Sequence, residues 1–153
     1  MPDELLQTGQ SAPDFELPAS NGGQISLDGL RGTNVVLFFY PVDDTPGWTK
    51  EAIGFRDAKP KFDELNAILL GISRDDLSSH HAFIEKYDLN MTLLTDADGS
   101  MCQAYGVCGD GNDGFVRSTI VIDGSGEVAK IMRAVDPVEH IAIVEAFIRD
   151  NLH

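Results

Sequence analysis

The sequence predicts an α/β fold in which helices flank a central mixed β-sheet, within a single domain of residues 1–153. The continuous, apolar and β-branched runs at 33–40 and 67–73 are typical of strands in the middle of a sheet. Helical patterns alternate with these runs along the chain. Near the end, "STIVIDGSGEVAKIMRAV" has two strand patterns around a Gly-rich turn, which predicts a hairpin.

The elements before and around the first long strand follow from local signals. "APDFEL" and "QISL" read as short strands separated by the turn "SNGG". After the strand "TNVVLFFY", a helix is predicted from about Pro46 to Leu65, with Thr45 as its cap and Pro46 in its first turn. Pro60 lies inside this pattern, so we expect it to kink or split the helix.

The second half alternates in the same way. "AILLGIS" and "TLLTD" are predicted strands, and "LSSHHAFIEKYDL" is a helix with Leu77, Phe83, Ile84 and Tyr87 on its inner side. "GSMCQAYGV" is predicted to be a short helix that runs into an edge. The closing helix "PVEHIAIVEAFIRDNL" is amphipathic, with apolar residues at Ile141, Val144, Ala146, Phe147 and Ile148.

Composition excludes several function classes. The net charge of −14 provides no basic footprint for nucleic acid, so no nucleic-acid partner is expected. No apolar run approaches a membrane span of ~20 residues, and the N-terminus lacks a signal-peptide pattern, so a cytoplasmic protein without a membrane partner is expected. The acidity is explained by a strongly solvated surface or by adaptation to high salt.

Cysteine and histidine usage argues against metal chemistry. The two cysteines, Cys102 and Cys108, form neither a disulfide framework nor a CxxC pair, and neither has a neighbouring histidine in the sequence. His80-His81 is better explained as a solvated helix end than as a metal site. The segment "GDGNDG" lacks the spacing and terminal Glu of a calcium loop. We therefore expect no metal and no cofactor.

Several motifs together resemble one family. "APDFEL", "FFYP", "TPGWTKEA", "FRD", "LLGIS", "LLTD", "YGV" and "RSTIVIDGSGEV" occur in the order and spacing of a peroxiredoxin, most closely the bacterioferritin comigratory protein or peroxiredoxin Q group. The resemblance covers almost the whole chain. It implies a thioredoxin-like fold with an N-terminal extension, and a family activity of reducing hydroperoxides with a thioredoxin-like reductant.

The resemblance also implies site residues. The family's motif proline falls on Pro41, its threonine on Thr45 and its arginine on Arg117, and all three are present. The peroxidatic cysteine, which would sit in the first helical turn, falls on Trp48, and the usual resolving position holds Ile53. An indole offers only an N–H donor and is a poor nucleophile, so the family's chemistry is expected to be lost at this site.

Two interpretations of each remaining residue stay open. Trp48 shares a helical face with Ala52, Phe55 and Phe62, so it either packs into the former peroxide pocket or presents an aromatic surface to a ligand or partner. Arg117 is either an anion-binding group beside the helix N-terminus or a cation packed on the Trp48 ring.

Cys102 and Cys108 also have two interpretations. They are a displaced redox pair, or they have no redox role, in which case Cys102 is a small buried residue and Cys108 is a thiol in a loop or at an edge.

Three functional hypotheses follow. The first is a peroxiredoxin fold that has lost peroxidase chemistry and acts through binding a small ligand or a partner. The second is a divergent thiol peroxidase or oxidoreductase that uses Cys102 or Cys108 with a thioredoxin-like reductant. The third is an altered form of an ordinary peroxidase, in which Trp48→Cys regains activity. Members of this family occur as monomers and as homodimers, and either state is compatible with the sequence.

Overall fold

A five-stranded mixed sheet organises the molecule, in the strand order β5-β4-β3-β6-β7. We describe it from a computed structural model covering residues 7–40, 46–107, 118–133 and 139–152, with the backbone alone at 46–48, 133, 139 and 140. The elements are β1 (Glu16–Pro18), β2 (Gln24–Ser26), β3 (Asn34–Phe39), α1 (Pro46–Glu64), β4 (Ala67–Ser73), α2 (Leu77–Tyr87), β5 (Thr92–Thr95), α3 (Ser100–Tyr105), β6 (Ser118–Ile122), β7 (Val128–Arg133) and α4 (Glu139–Asn151).

The sheet is mixed, as the sequence predicts. Strands β3, β4 and β5 run parallel, whereas β6 is antiparallel to β3 and to β7. Helical crossovers connect the parallel strands, and the predicted hairpin connects β6 to β7. All six residues of β3 are buried, which explains why its sequence is continuously apolar rather than alternating. This topology brings the C-terminal end of β3, the N-terminal end of β6 and the start of α1 to the same end of the sheet.

Helix α1 corrects one expectation. It runs unbroken from Pro46 to Glu64 with Pro60 inside it, so Pro60 does not split the helix. A proline at position 60 has no N–H to donate to the carbonyl of Arg56 one turn earlier. The Asn90 side chain supplies the missing donor, with Nδ2 at 3.2 Å from the Arg56 oxygen. A tertiary contact therefore satisfies the group that Pro60 leaves unpaired.

The core lies on both faces of the sheet. On one face, α1, α2 and α4 pack against Val36, Phe38 and Val121. On the other, α3 and the N-terminal segment pack against Leu37, Phe39 and Ile120. Consecutive residues of one strand thus enter different clusters, as the alternation of side chains along a strand requires. Any group on α3 is therefore separated by the sheet from the groups on α1.

The N-terminal extension is a β1–β2 hairpin followed by a 3₁₀ turn. The strand predicted over "APDFEL" begins later than expected, at Glu16. The extension closes over an edge of the sheet, because Ala19 bridges Leu94 of β5. It is also attached to α3, since the Tyr105 hydroxyl donates to the Pro13 carbonyl. Burial and the charge of Asp14 raise the pKa of Tyr105, so this hydroxyl keeps its proton.

Candidate functional site

The region singled out by the sequence lies where β3 gives way to α1. Tyr40 is buried directly after β3, and α1 begins at Pro46. Trp48 is the third residue of α1, so the backbone confirms the prediction of a helix that begins at Pro46 and has position 48 in its first turn. Its side chain lies outside the described part of the structure, as do Pro41 and Thr45 entirely. The first helical turn is where unpaired backbone N–H groups create a positive end.

The buried face of α1 agrees with the predicted helical phase. Ala52, Phe55 and Phe62 are all fully buried. The Phe55 ring stacks on Phe38 of β3, with centroids 4.5 Å apart and planes 9° from parallel. Ile53, at the family's resolving position, is half-buried and lies off this stripe. The stacked rings fix α1 on the sheet and so set the position of its N-terminus.

Glu51 is a buried acid on the same helix face. It is not among the site residues predicted from the sequence. It is fully buried in the second turn of α1, and it has an interaction partner in the structure. Carboxylates are rarely buried without a compensating partner, so Glu51 is a polar element of the site rather than a surface charge. The signal was available, because residue 51 lies three positions after Trp48 and four before Phe55.

Another buried polar group near this junction is a hydrogen-bonded pair, His80 of α2 and Tyr40, which directly follows β3. His80 of α2 is fully buried, and its Nε2 is 3.0 Å from the carbonyl oxygen of Leu94. A carbonyl only accepts, so Nε2 carries the proton, and Nδ1 can accept from the Tyr40 hydroxyl at 3.4 Å. The expectation of a solvated helix end is therefore wrong for His80, although His81 is exposed. The spacing of His80 with Phe83, Ile84 and Tyr87 would have placed it on the inner face.

Cys102 lies on the other face of the sheet. It is fully buried in α3 and packs in the cluster that contains Phe15, Leu37 and Tyr105. The interpretation as a small buried residue is confirmed for its burial, but Cys102 is disulfide-bonded and is not a free thiol. Its backbone N–H donates to the buried carboxylate of Asp96 at 2.9 Å. Cys108, the other cysteine of the chain, lies outside the described residues.

The described structure contains only part of the predicted site. At the end of the sheet where β3 meets α1 it places the backbone of Trp48, which was predicted, together with Glu51 and the Tyr40–His80 pair, which were not. Arg117 lies outside the described residues, although β6 begins directly after it and pairs with the end of β3. Within those residues there is no group of three or more metal-ligating side chains, and no helix long and apolar enough to cross a membrane.

Comparisons with known proteins identify relatives along most of the chain. Residues 8–131 match the AhpC/TSA family. The putative peroxiredoxin bcp of Coxiella burnetii is 43% identical over 145 residues, which cover 91% of this chain and 96% of that protein. The peroxiredoxin Bcp of Bacillus subtilis is 38% identical over 143 residues, which cover 90% and 91% of the two chains.

The fold of the chain agrees with a solved structure of the same group. Peroxidoxin BcpB of Mycobacterium tuberculosis superposes with a TM-score of 0.88 at 35% identity, covering 97% of this chain and 99% of that one. The likeness confirms the predicted thioredoxin-like fold of the peroxiredoxin type, with its central mixed sheet and N-terminal extension. Together with the match along the sequence, it shows that the chain belongs to the AhpC/TSA family of peroxiredoxins, in the Bcp and peroxiredoxin Q group.

Proposed function

We propose that this chain is a peroxiredoxin-fold protein that has lost thiol peroxidase activity at the start of α1 and now acts by binding a small ligand or a partner. One observation carries the proposal: the first turn of α1 holds Trp48, whereas the family chemistry needs a thiolate there. In that chemistry the sulfur attacks a peroxide oxygen, the O–O bond breaks, and water or an alcohol leaves. An indole cannot take the place of the thiolate in this step.

The position of the described cysteine supports the loss. Cys102 packs on the face of the sheet opposite α1, so the sheet lies between its sulfur and the start of α1. A thiol on that side does not gain the positive field of the α1 N-terminus, which falls off within a helical turn. The surviving frame residues Pro41, Thr45 and Arg117 would then serve a bound ligand, such as a hydroperoxide that is held but not reduced.

Restoring the thiol tests this proposal. We expect the Trp48→Cys protein to consume hydroperoxide in excess dithiol well above the parent, because Pro41, Thr45 and Arg117 remain in the sequence. Initial rates of peroxide loss measure the effect. Trp48→Ser is the matched control, because it opens the same space without adding a thiol. A fast parent rate would contradict the proposal outright. Equal, slow rates in all three proteins would mean that the pocket has repacked around residue 48.

A second candidate function rests on the disulfide of Cys102. A chain that forms and loses a disulfide can carry two electrons from a thioredoxin-like dithiol to a hydroperoxide. One thiol would be oxidised to sulfenic acid, and the second would displace water from it to form the disulfide. The surroundings of Cys102 weigh against fast turnover. Cys102 is fully buried in α3, which limits access of a hydroperoxide to its sulfur.

Mass measurement separates the two candidates. The protein is reduced with dithiol, freed of reductant and given a modest peroxide dose, and its intact mass is followed with peptide mapping of Cys102 and Cys108. We expect loss of two hydrogens no faster than in an unfolded control, because Cys102 is fully buried and peroxide has little access to its sulfur. Rapid, dithiol-reversible loss that disappears in the Cys102→Ser protein would instead establish the oxidoreductase.

A further inference from the structure

The first residues of β4 form an open sheet edge. Strand β4 begins at Ala67, but its pairing with β5 begins only at Leu70, opposite Thr92. On its other side β4 is paired with β3 from Ala67 onward. Among the described residues, the segment 67–69 therefore has a paired strand on one side only. It lies at the amino end of the parallel strands, whereas Trp48 follows the carboxyl end of β3.

The backbone groups of this edge are oriented toward the vacant side. The N–H of Asp96 donates to the carbonyl of Ser73, which shows that residue 73 directs its backbone groups toward β5. This direction alternates along a strand, so Leu69 and Ala67 also face that side. Within the described residues, the N–H groups of Ala67 and Leu69 have no hydrogen-bond partner there. Both residues are nevertheless buried, with 6% and 2% of their surface exposed. Unpaired backbone donors in such a position are uncommon.

Side-chain contacts attach the connection between α2 and β5 to α1. Asn90 Nδ2 donates to the Arg56 carbonyl that Pro60 leaves without a helical donor. Nearby, Arg56 Nη1 donates to the carbonyl of Tyr87 at 2.7 Å. These two hydrogen bonds with Arg56 hold the connection against α1. Pro60 in α1 is consequently linked to the gap beside β4.

The gap is a cleft of about 400 Å³. The ion pair of Lys59 and Asp63 forms one wall, with Nζ and Oδ1 3.0 Å apart. Apolar surface is provided by β4 and Met91, and amides and hydroxyls complete the rim. The amide and hydroxyl groups of the rim include those of Asn66, Asn90 and Thr92. A mixed lining around open backbone groups suits a peptide main chain with small side chains.

We propose that this edge slot (residues 67–69 with the cleft around them) binds an extended peptide segment of another protein, which adds to the sheet as a short strand beside β4. The open edge is about three residues long and matches about 10 Å of extended chain. A main chain would pair with the N–H groups of Ala67 and Leu69, and it would shield the apolar lining from water. The net charge of −14 favours a segment that is neutral or basic.

Amide hydrogen exchange tests the slot, read by NMR on the full chain. In the free protein, the amides of Ala67 and Leu69 should exchange much faster than the amide of Ile72, which lies in the β3–β4 pairing. The probe is the blocked peptide acetyl-Val-Lys-Val-amide at millimolar concentration. We expect it to shift these two resonances and to slow their exchange about tenfold or more. The same peptide with N-methylated backbone nitrogens should do neither.

The remaining outcomes decide against the proposal. If Ala67 and Leu69 exchange as slowly as Ile72 without peptide, their N–H groups are already paired. If both peptides act alike, or neither binds, the slot holds only water. If exchange slows with protein concentration alone, the occupant is a second copy of the chain. A variant pair gives a further check: Thr92→Trp should fill the slot and abolish binding, whereas Glu85→Trp, on the exposed face of α2, should not.

Discussion

Buried hydroxyl groups in this protein differ in how their hydrogen bonds are satisfied. Thr119 of β6 is fully buried, and its Oγ1 has no hydrogen-bond partner among the residues that the structure describes. Thr95 of β5 is also buried, but its Oγ1 donates to the Asp75 carbonyl at 2.7 Å. Burying an unpaired hydroxyl costs free energy that a paired one recovers. The same residue type therefore destabilises one strand and stabilises the end of another.

Replacing each threonine by valine should have opposite effects. Thr119→Val removes only an unpaired hydroxyl, so we expect the free energy of unfolding to rise by about 1 kcal/mol. Thr95→Val leaves the Asp75 carbonyl without its donor, so a loss of about 1–2 kcal/mol is expected. Urea denaturation of the parent protein and of the two variants measures both changes, provided that the slope of the unfolding free energy against urea concentration is the same for all three. A Thr119→Val protein as destabilised as Thr95→Val would show that the Thr119 hydroxyl has a partner, such as a bound water.

The polar groups behind α1 show which residue-level signals are easy to overlook. Glu51 and His80 are ordinary surface residue types, and both are fully buried here. Their helical spacing indicates inner faces, whereas their polar residue types are typical of the surface. Both lie near the junction of β3 and α1, since Glu51 is in the second turn of α1 and His80 contacts Tyr40. Glu51 and His80 are present and buried in this protein although position 48 holds a tryptophan.

At the level of elements, β4 depends on a residue without a side chain. Gly71 pairs with Phe38 of β3 and Leu93 of β5 in the middle of the sheet. A Cβ at this position would lie 2.7 Å from Leu93 Cδ2 and 2.9 Å from Phe38 Cε2. Phe38 cannot easily retreat, because its ring is stacked on Phe55 of α1. The glycine therefore determines how closely the aromatic layer packs on β4.

Gly71→Ala should consequently destabilise the protein. We expect a loss of about 1–3 kcal/mol, the usual cost of overpacking a core. Gly124→Ala is the control, since a Cβ there would meet its nearest atom, the carbonyl carbon of Gly32, at 3.4 Å. That change should stay within about 0.5 kcal/mol. Thermal and urea unfolding of both proteins provide the comparison, and equal stability of the two would contradict the packing argument.

Helix α1 also links two distant parts of the chain. Its N-terminal turn holds Trp48, whereas its second half contains Pro60 and the Arg56 carbonyl that Asn90 reaches. A local rule predicts that a proline disrupts a helix. The helix continues, and a side chain from the connection between α2 and β5 replaces the missing donor. Element boundaries of this kind are set by tertiary hydrogen bonds.

For the molecule as a whole, the sheet separates two chemical environments. The face covered by α1, α2 and α4 contains Glu51 and His80, and the face covered by α3 contains Cys102. The sequence alone identifies Cys102 and Trp48 as candidate site residues but does not predict where they lie relative to each other. Their placement on opposite faces argues against Cys102 acting as a substitute thiol at the α1 N-terminus. The proposed peptide slot is a third region, at the opposite end of the parallel strands.

The sequence by itself determined the fold class, the order of the long strands and helices, the phase of the buried face of α1, and the family. These follow from hydrophobic periodicity, Gly and Pro signals and motif spacing, which act over short stretches of chain. Only the tertiary structure decided that α1 continues through Pro60, that Glu51 and His80 are buried, that Cys102 packs opposite α1, and that β4 has an open edge. Each of these depends on contacts between segments far apart in sequence, whose energies no local pattern contains.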